Sequence, residues 1–191
     1  MGKRIGILGG TFNPPHIGHL IIANEVLHKL NLDEIRFMPA GIPPHKKIKG
    51  DTSAAQRKEM VSKAIEGHPG FVLETIELEM DGPSYTYETV RLLLQREPDA
   101  EFHFIIGGDM IEYLPKWHKI EELSQLIQFA GVKRPGYETE SPYNVVMVEI
   151  PQIDISSTLI RDRVASGETV AYLIPEKVSD FIREEKLYGE G

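Results

Sequence analysis

Short apolar runs alternate along the chain with longer segments whose apolar residues recur every three or four positions. The runs are typical of buried strands and the spacing is typical of helices. The predicted strands are 5–8, 35–38, part of 72–78, 102–106, 127–132 and 145–150. The predicted helices are 20–30, 53–67, 87–96, 157–164 and 176–186. Because strands and helices alternate, we expect an α/β fold that is Rossmann-like and doubly wound, with a mainly parallel sheet and helices on both faces.

Proline and glycine residues fall between these segments, where they mark turns. No internal repeat, low-complexity tract or linker interrupts the pattern. A length of 191 residues suits one ordinary domain, so we expect residues 1–191 to fold as a single unit.

Composition and charge narrow the range of functions. The formal net charge of −8 argues against nucleic acid or an anionic membrane as partner, although a few local cations and N–H groups could still hold a small phosphate. The absence of cysteine excludes thiol catalysis, cysteine-ligated zinc and iron–sulfur clusters. No signal peptide and no apolar stretch long enough to span a bilayer is recognisable, so we expect a cytoplasmic protein.

The first candidate site follows the first predicted strand, where the chain reads GGTFNPPHIGH over 9–19. Ligands of parallel sheets bind beyond the carboxyl ends of the strands. Gly9 and Gly10 let the backbone approach a ligand and direct N–H groups at phosphate oxygens, although two glycines alone fit a structural turn equally well. His16 and His19, at a helix start, can face one phosphate and stabilise charge developing on it. The motif is neither a Walker A loop nor GxGxxG, so NAD-dependent dehydrogenase chemistry loses its main support.

The second candidate site reads ISSTLIR over 155–161. Hydroxyl residues at a helix start cap the helix and can bind phosphate with the same groups. Arg161 lies one helical turn after Thr158 and can face the same anion. Taken alone, this motif favours a plain helix cap with a solvated arginine.

Together the two motifs resemble the nucleotidyltransferase superfamily and, more narrowly, the bacterial nicotinate-nucleotide adenylyltransferases, which make deamido-NAD and pyrophosphate from nicotinate mononucleotide and ATP. The narrower resemblance also rests on GPSYTY at 82–87, GGD at 107–109, WHK at 117–119 and KRPG at 133–136. Asn13 departs from the aspartate that is frequent in the family. Asparagine keeps the hydrogen-bonding capacity at that position and removes a charge.

The resemblance implies a role for each matching residue. Catalysis is implied for His16, His19 and Arg161. Binding of ATP is implied for Gly9, Gly10, Thr11, Phe12, Gly107, Asp109, Ser156, Ser157 and Thr158. Binding of nicotinate mononucleotide is implied for His45, Lys46, Tyr85, Thr86, Trp117, His118 and Arg134.

Some of these residues keep a structural alternative. Asp109 is expected to bond a ribose hydroxyl, and the alternative is the N-cap of a helix starting at Met110. Trp117 is expected to stack on the pyridine ring, with backbone N–H groups of Thr86 and His118 receiving its carboxylate, and the alternative is ordinary core packing. Lys46 is expected to reach a phosphate, and the alternative is a solvated loop.

The sequence shows no carboxylate cage for a metal, so the Mg²⁺ that the resemblance implies would be held mainly by ATP phosphates and water. Three alternatives compete with this assignment: another adenylyl- or cytidylyltransferase such as a pantetheine-phosphate adenylyltransferase, a nucleotide-binding module without catalysis, and an RNA-binding α/β domain. The sequence leaves open the preference for nicotinate over nicotinamide mononucleotide, and it leaves open whether the protein is a homodimer.

Overall fold

The computed structural model of the chain describes residues 2–41, 52–132 and 141–189, apart from the side chain of residue 109. The strands are β1 Arg4–Gly10, β2 Glu34–Pro39, β3 Phe71–Leu73, β4 Glu101–Gly107, β5 Gln128–Val132 and β6 Val145–Val148. The helices are α1 Ile17–Lys29, α2 Ala54–Ile65, α3 Ile76–Glu79, α4 Thr86–Arg96, α5 Gly108–Ile111, α6 Ile120–Leu126, α7 Ser157–Ala165 and α8 Glu176–Glu184, with a 3-10 helix at Leu114–Lys116.

The strands form one six-stranded sheet in the order β3-β2-β1-β4-β5-β6, and every neighbouring pair is parallel. The strand order reverses between β1 and β4, which lie side by side with Leu8 opposite Ile105. A crevice at such a switch point, at the carboxyl ends of the strands, is where ligands bind in this architecture. The predicted Rossmann-like, doubly wound α/β fold is confirmed.

Alternating side chains of the strands supply two cores, one on each face of the sheet. Ile5 and Ile7 of β1 pack with buried residues of α4 and α6, whereas Leu8 packs with residues of α1 and α2 on the opposite face. A third apolar cluster joins α2 to α7 and α8. None of the helices in the described ranges combines the length and apolar character needed to cross a bilayer.

The segment after residue 71 is less regular than the near-alternating pattern predicts. β3 ends at Leu73, and the chain turns into the short helix α3. The turn centres on the buried carboxylate of Glu74, which accepts hydrogen bonds from the side chains of Arg36 and Arg96 and from the backbone N–H of Ile76. A buried charge needs such partners, and these ion pairs hold the chain in the turn that follows β3.

Helix α6 has no counterpart among the predicted elements. It has seven residues, and its buried positions are Ile120 and Leu123. Two buried residues in so short a segment give no recognisable amphipathic period. By contrast, the predicted start of the second helix is confirmed, because Ser53 and Gln56 form a reciprocal capping box, with hydrogen bonds of 2.9 and 3.2 Å.

Candidate active site

The loop that joins β1 to α1 crosses the switch point of the sheet. Its Phe12 has a left-handed backbone with φ of 49° and a side chain that is only 2% exposed. A Cβ at Gly10 would lie 3.2 Å from the Phe12 ring, and one at Gly9 would lie 3.3 Å from the Phe104 ring. Gly10 therefore leaves room for Phe12 to fold back into the core, and Gly9 leaves room for the Phe104 ring.

His16 and His19 come together at the N-terminus of α1. His16 is the N-cap of the helix, and its backbone N–H donates to Nδ1 of His19 over 3.1 Å. The two imidazole rings stack with centroids 3.7 Å apart. A Cβ at Gly18 would lie 3.0 Å from Nδ1 of His16, so a small residue leaves room for the ring. Both imidazoles thus sit at the positive end of the helix dipole.

The start of α7 is bound to the same loop. The Ser156 hydroxyl caps the helix by accepting from the backbone N–H of Leu159 over 3.2 Å. The Ser157 hydroxyl donates to the carbonyl oxygen of Pro14 over 2.8 Å. One hydroxyl therefore holds its own helix and the other holds the β1–α1 loop, so the plain-cap alternative describes Ser156 alone.

Arg161 spans the gap between the two motifs. Its Nη1 donates to the carbonyl oxygen of Asn13 over 2.7 Å, and its Nη2 donates to the hydroxyl of Thr158 over 3.1 Å. The guanidinium is therefore engaged with the protein, and the solvated-arginine alternative is wrong. We call His16, His19, Ser157 and Arg161 the phosphate cluster, because imidazole, hydroxyl and guanidinium groups are the donors that phosphates accept from.

The carboxyl end of β4 borders the crevice on its other side. Gly107 is the last residue of the strand and the N-cap of α5. Asp109 lies inside that helix, one residue before Met110, so the alternative that made Asp109 an N-cap is wrong. The position of the α5 backbone places Asp109 after the strand adjacent to β1.

A second group of predicted residues meets at the N-terminus of α4. Tyr85 is the N-cap of this helix and Thr86 its first residue, so the N–H groups of the first turn have no partner within the helix. The ring of Tyr85 lies 4.8 Å from that of His118. The Nε2 atom of His118 lies 3.5 Å from a carboxylate oxygen of Glu88.

Trp117 is half-buried beside this group. Its indole packs edge-on against Phe104 and Phe129, with ring centroids 5.9 and 6.1 Å away. The ring of Phe104 in turn lies against the backbone of Gly9. The core-packing alternative therefore describes one part of the indole, while the rest stays accessible to a ligand. We call Tyr85, Trp117 and His118 the aromatic cluster.

Comparison with known proteins identifies the family. Residues 7–163 match the cytidylyltransferase-like family. The chain is 58% identical to the probable nicotinate-nucleotide adenylyltransferase of Geobacillus thermodenitrificans, over 99% of this chain and 87% of the relative. It is 54% identical to the nicotinate-nucleotide adenylyltransferase of Bacillus subtilis, over 97% of this chain and 98% of the relative. The chain belongs to the nicotinate-nucleotide adenylyltransferase family.

A solved structure extends the likeness to the fold. The nicotinic acid mononucleotide adenylyltransferase of Plasmodium falciparum, in complex with NaAD, superposes with a TM-score of 0.82 over 97% of both chains. The sequences are 20% identical. A likeness at this identity concerns the architecture, which agrees with the parallel sheet described above.

Three of the residues that the family resemblance selects lie outside the described residues. These are His45, Lys46 and Arg134. Of the other predicted site residues, those of the first and last motifs converge on the β1–α1 loop, and Tyr85, Thr86, Trp117 and His118 converge on the start of α4.

Two residues that contact the loop were not predicted from the sequence. Arg57 of α2 is 1% exposed and donates to the carbonyl oxygen of Thr11 over 3.0 Å. Tyr188, beyond α8, donates its hydroxyl proton to Oδ1 of Asn13 over 2.5 Å. Arg57 did carry a signal, because it occupies the apolar stripe that Met60 and other buried residues of α2 form. Tyr188 carried none, since its contact joins residues far apart in the sequence.

Proposed function

We propose that the protein transfers the adenylyl group of ATP to nicotinate mononucleotide, giving deamido-NAD and pyrophosphate, as a step of NAD biosynthesis. Membership of the family supports the reaction. The observation that carries the proposal for this chain is the hydrogen bond from Arg161 to the Asn13 carbonyl, because it brings the two phosphate-binding motifs into one crevice beside the stacked histidines.

The chemistry needs few reactive groups. A phosphate oxygen of nicotinate mononucleotide attacks the α-phosphorus of ATP, a new P–O bond forms, and the bond to pyrophosphate breaks in line with it. The attacking phosphate is already ionised near neutral pH, because its second pKa is about 6. No general base is required, so catalysis consists of positioning the two phosphates and neutralising charge.

The phosphate cluster supplies that neutralisation. His16 and His19 stabilise the charge that develops on the α-phosphate of the transferred adenylyl group, and Arg161 stabilises the departing pyrophosphate. The remaining ATP contacts come from Gly9, Gly10, Thr11, Phe12, Gly107, Asp109, Ser156, Ser157 and Thr158. Arg161 keeps further N–H donors for ATP while its Nη1 remains 2.7 Å from the carbonyl oxygen of Asn13.

The aromatic cluster recognises the other substrate. Trp117 stacks on the electron-poor pyridine ring, and the backbone N–H groups of Thr86, at the start of α4, and of His118 receive the nicotinate carboxylate. Tyr85 closes the pocket beside His118, since their rings lie 4.8 Å apart. His45, Lys46 and Arg134 complete the site in this proposal.

The donor set is compatible with a metal that arrives with ATP. Across the described residues no three histidine, aspartate or glutamate side chains are grouped so that they could hold a metal ion. Imidazole, hydroxyl and guanidinium groups instead suit the phosphate oxygens. Mg²⁺ held by ATP phosphates and water would neutralise phosphate charge while the protein orients the reacting groups.

The proposal also covers the organisation of the protein. Residues 1–191 form one domain, and the reaction takes place in the cytoplasm. Net charge supports small-molecule substrates without nucleic acid or membrane partners. A homodimer is compatible with the proposed mechanism.

The test is a pyrophosphate-release assay with ATP, Mg²⁺ and either nicotinate or nicotinamide mononucleotide. We expect strong release with the nicotinate substrate and little with the other, because only the first has the carboxylate that the aromatic cluster receives. Equal release with both would keep the reaction and overturn the specificity. If neither mononucleotide gives pyrophosphate release but phosphopantetheine does, the pantetheine-phosphate alternative replaces the proposal.

A further inference from the structure

The β1–α1 loop is held from its rear by two side chains that lie outside the nucleotide-binding motifs. Arg57 donates to the carbonyl oxygen of Thr11 over 3.0 Å. The Tyr188 hydroxyl donates to Oδ1 of Asn13 over 2.5 Å. We call this pair the loop clamp. Its members come from α2 and from the segment after α8, which the apolar cluster of α2, α7 and α8 joins together.

Tyr188 reaches the loop through an unusual backbone conformation. The chain turns back after α8 through two non-glycine residues with left-handed backbone, Lys186 with φ of 52° and Tyr188 with φ of 62°. Such conformations cost free energy and persist where the surroundings require them. Burial raises the pKa of Tyr188 to about 12 although Thr52 hydrogen-bonds it and two guanidinium groups lie nearby. The hydroxyl therefore remains a neutral donor at the pH at which enzymes work.

Arg57 is a buried cation whose partners are carbonyl oxygens. Besides Thr11, its Nη2 lies 3.5 Å from the carbonyl oxygen of Gly41 beyond β2. Within the described ranges no carboxylate lies at ion-pair distance from it, and burial lowers its pKa. Burying a guanidinium among carbonyl oxygens is an expensive way to stabilise a helix. It does, however, fix the loops that leave two neighbouring strands of the site.

We propose that Tyr188 and Arg57 are positioning residues for adenylyl transfer. This inference rests on the proposed function. Carbonyl oxygens repel phosphate, and the loop clamp fixes the Thr11 carbonyl and the Asn13 side chain while Arg161 engages the Asn13 carbonyl. The loop therefore keeps its N–H groups and His16 directed at the crevice. Displacing reacting groups by about 1 Å is enough to lower a rate by up to about 100-fold.

The inference is tested with Tyr188→Phe, which removes one oxygen atom, and with Asn13→Ala, which removes the acceptor. The matched control is Tyr172→Phe, since the Tyr172 side chain is 94% exposed. For Tyr188→Phe we expect kcat to fall about tenfold, with KM for both substrates changed less than about twofold, because the loop geometry changes while the binding groups remain. The control should match the wild type.

A double-mutant cycle separates positioning from general stability. If Tyr188 acts through Asn13, the double variant should lose no more kcat than the worse single variant. Losses that multiply, or an unchanged kcat in Tyr188→Phe, would overturn the inference.

Hydrogen exchange gives an outcome that does not depend on the substrate. In the free protein, the amides of residues 11–13, 16 and 17 (residues 14 and 15 are prolines and have none) should exchange about tenfold faster in Tyr188→Phe than in the wild type, while β5 amides should not change. Unchanged exchange in the loop would overturn the loop clamp. If the wild type releases no pyrophosphate but the loop exchanges faster in Tyr188→Phe, the proposed function is rejected and the loop clamp is kept.

Discussion

The two halves of the candidate site are built in different ways. In the phosphate cluster, side chains of α7 are hydrogen-bonded to the β1–α1 loop over 2.7 and 2.8 Å, and the histidine rings stack on each other. In the aromatic cluster, the contacts are edges and faces of rings, with Trp117 half-buried and His118 exposed. The first half is fixed by directional bonds, and the second by packing that tolerates small shifts.

This difference matches what the proposed reaction requires of each half. Charge on a transferred phosphoryl group is best stabilised by donors that are already in place before reaction. Recognition of a flat ring needs area and a few N–H groups, and it tolerates adjustment. We therefore expect substitutions in the phosphate cluster to lower kcat and substitutions in the aromatic cluster to raise the KM of one substrate.

The largest effect should come from the histidine pair. His16→Ala or His19→Ala should lower kcat about 100-fold or more, with the KM for ATP changed far less, because the lost group acts on charge that appears only in the transition state. Steady-state kinetics measures both constants. His28→Ala, an exposed histidine in the last turn of α1, is the control. A rise in KM for ATP with unchanged kcat would contradict the assigned role.

Trp117→Ala tests the aromatic cluster, the other half of the site. Loss of ring stacking should raise the KM for nicotinate mononucleotide about tenfold or more, with the KM for ATP nearly unchanged. Because the indole also packs on Phe104 and Phe129, alanine also leaves a gap in the core. Trp117→Phe keeps an aromatic ring and should lose less affinity. If both variants destabilise the protein without changing KM, Trp117 is a core residue only.

Gly18→Ala tests how rigid the phosphate cluster is. The new Cβ would lie 3.0 Å from Nδ1 of His16, which is closer than ordinary van der Waals contact, so the ring must shift by a few tenths of an ångström. We expect kcat to fall about fivefold while the melting temperature stays the same or rises, since alanine favours helix. Gly67→Ala cannot serve as the control glycine substitution, because Gly67 has a φ of 88°, which alanine adopts only with strain. An unchanged kcat would show that the histidine pair tolerates movement.

The smallest effect concerns the support beneath the aromatic cluster. The buried carboxylate of Glu77 in α3 accepts from the hydroxyl of Thr89 in α4 over 3.0 Å and from the N–H of Gly41, and burial raises the pKa of Glu77 to about 7. Because the folded protein prefers the protonated form, the stabilising contribution is fully present below the unfolded pKa of about 4.5 and is lost as pH rises through about 7.

The measurement is thermal unfolding at pH 5 and pH 8.5. The wild-type melting temperature should fall by roughly 5 °C more than that of Glu77→Gln over this interval, because glutamine removes the titration. Glu79→Gln, on the exposed side of the same helix, should behave as the wild type. An identical pH dependence of Glu77→Gln and the wild type would show that Glu77 does not titrate in this range.

The parallel α/β architecture could be predicted because two features leave a strong hydrophobic pattern. These are the longer helices, with apolar residues every three or four positions, and the short apolar strands. Helices such as α6 could not be predicted, because they bury too few residues. Within the site, the GGTFNPPHIGH and ISSTLIR motifs were found because their residues are neighbours in sequence. Tyr188 was missed because its partner Asn13 is 175 positions away.

The sequence alone determined the alternation of strands with the longer helices, the histidine pair at the start of α1 and the hydroxyl-rich start of α7, since each depends on residues within one or two helical turns. The tertiary structure decided which carbonyl Arg161 binds, how Phe104 connects Gly9 to Trp117, and that Arg57 and Tyr188 reach the loop. The physical reason is that backbone propensity and capping act over a few residues. Contacts between side chains on different elements depend on how those elements pack, and no local pattern records that.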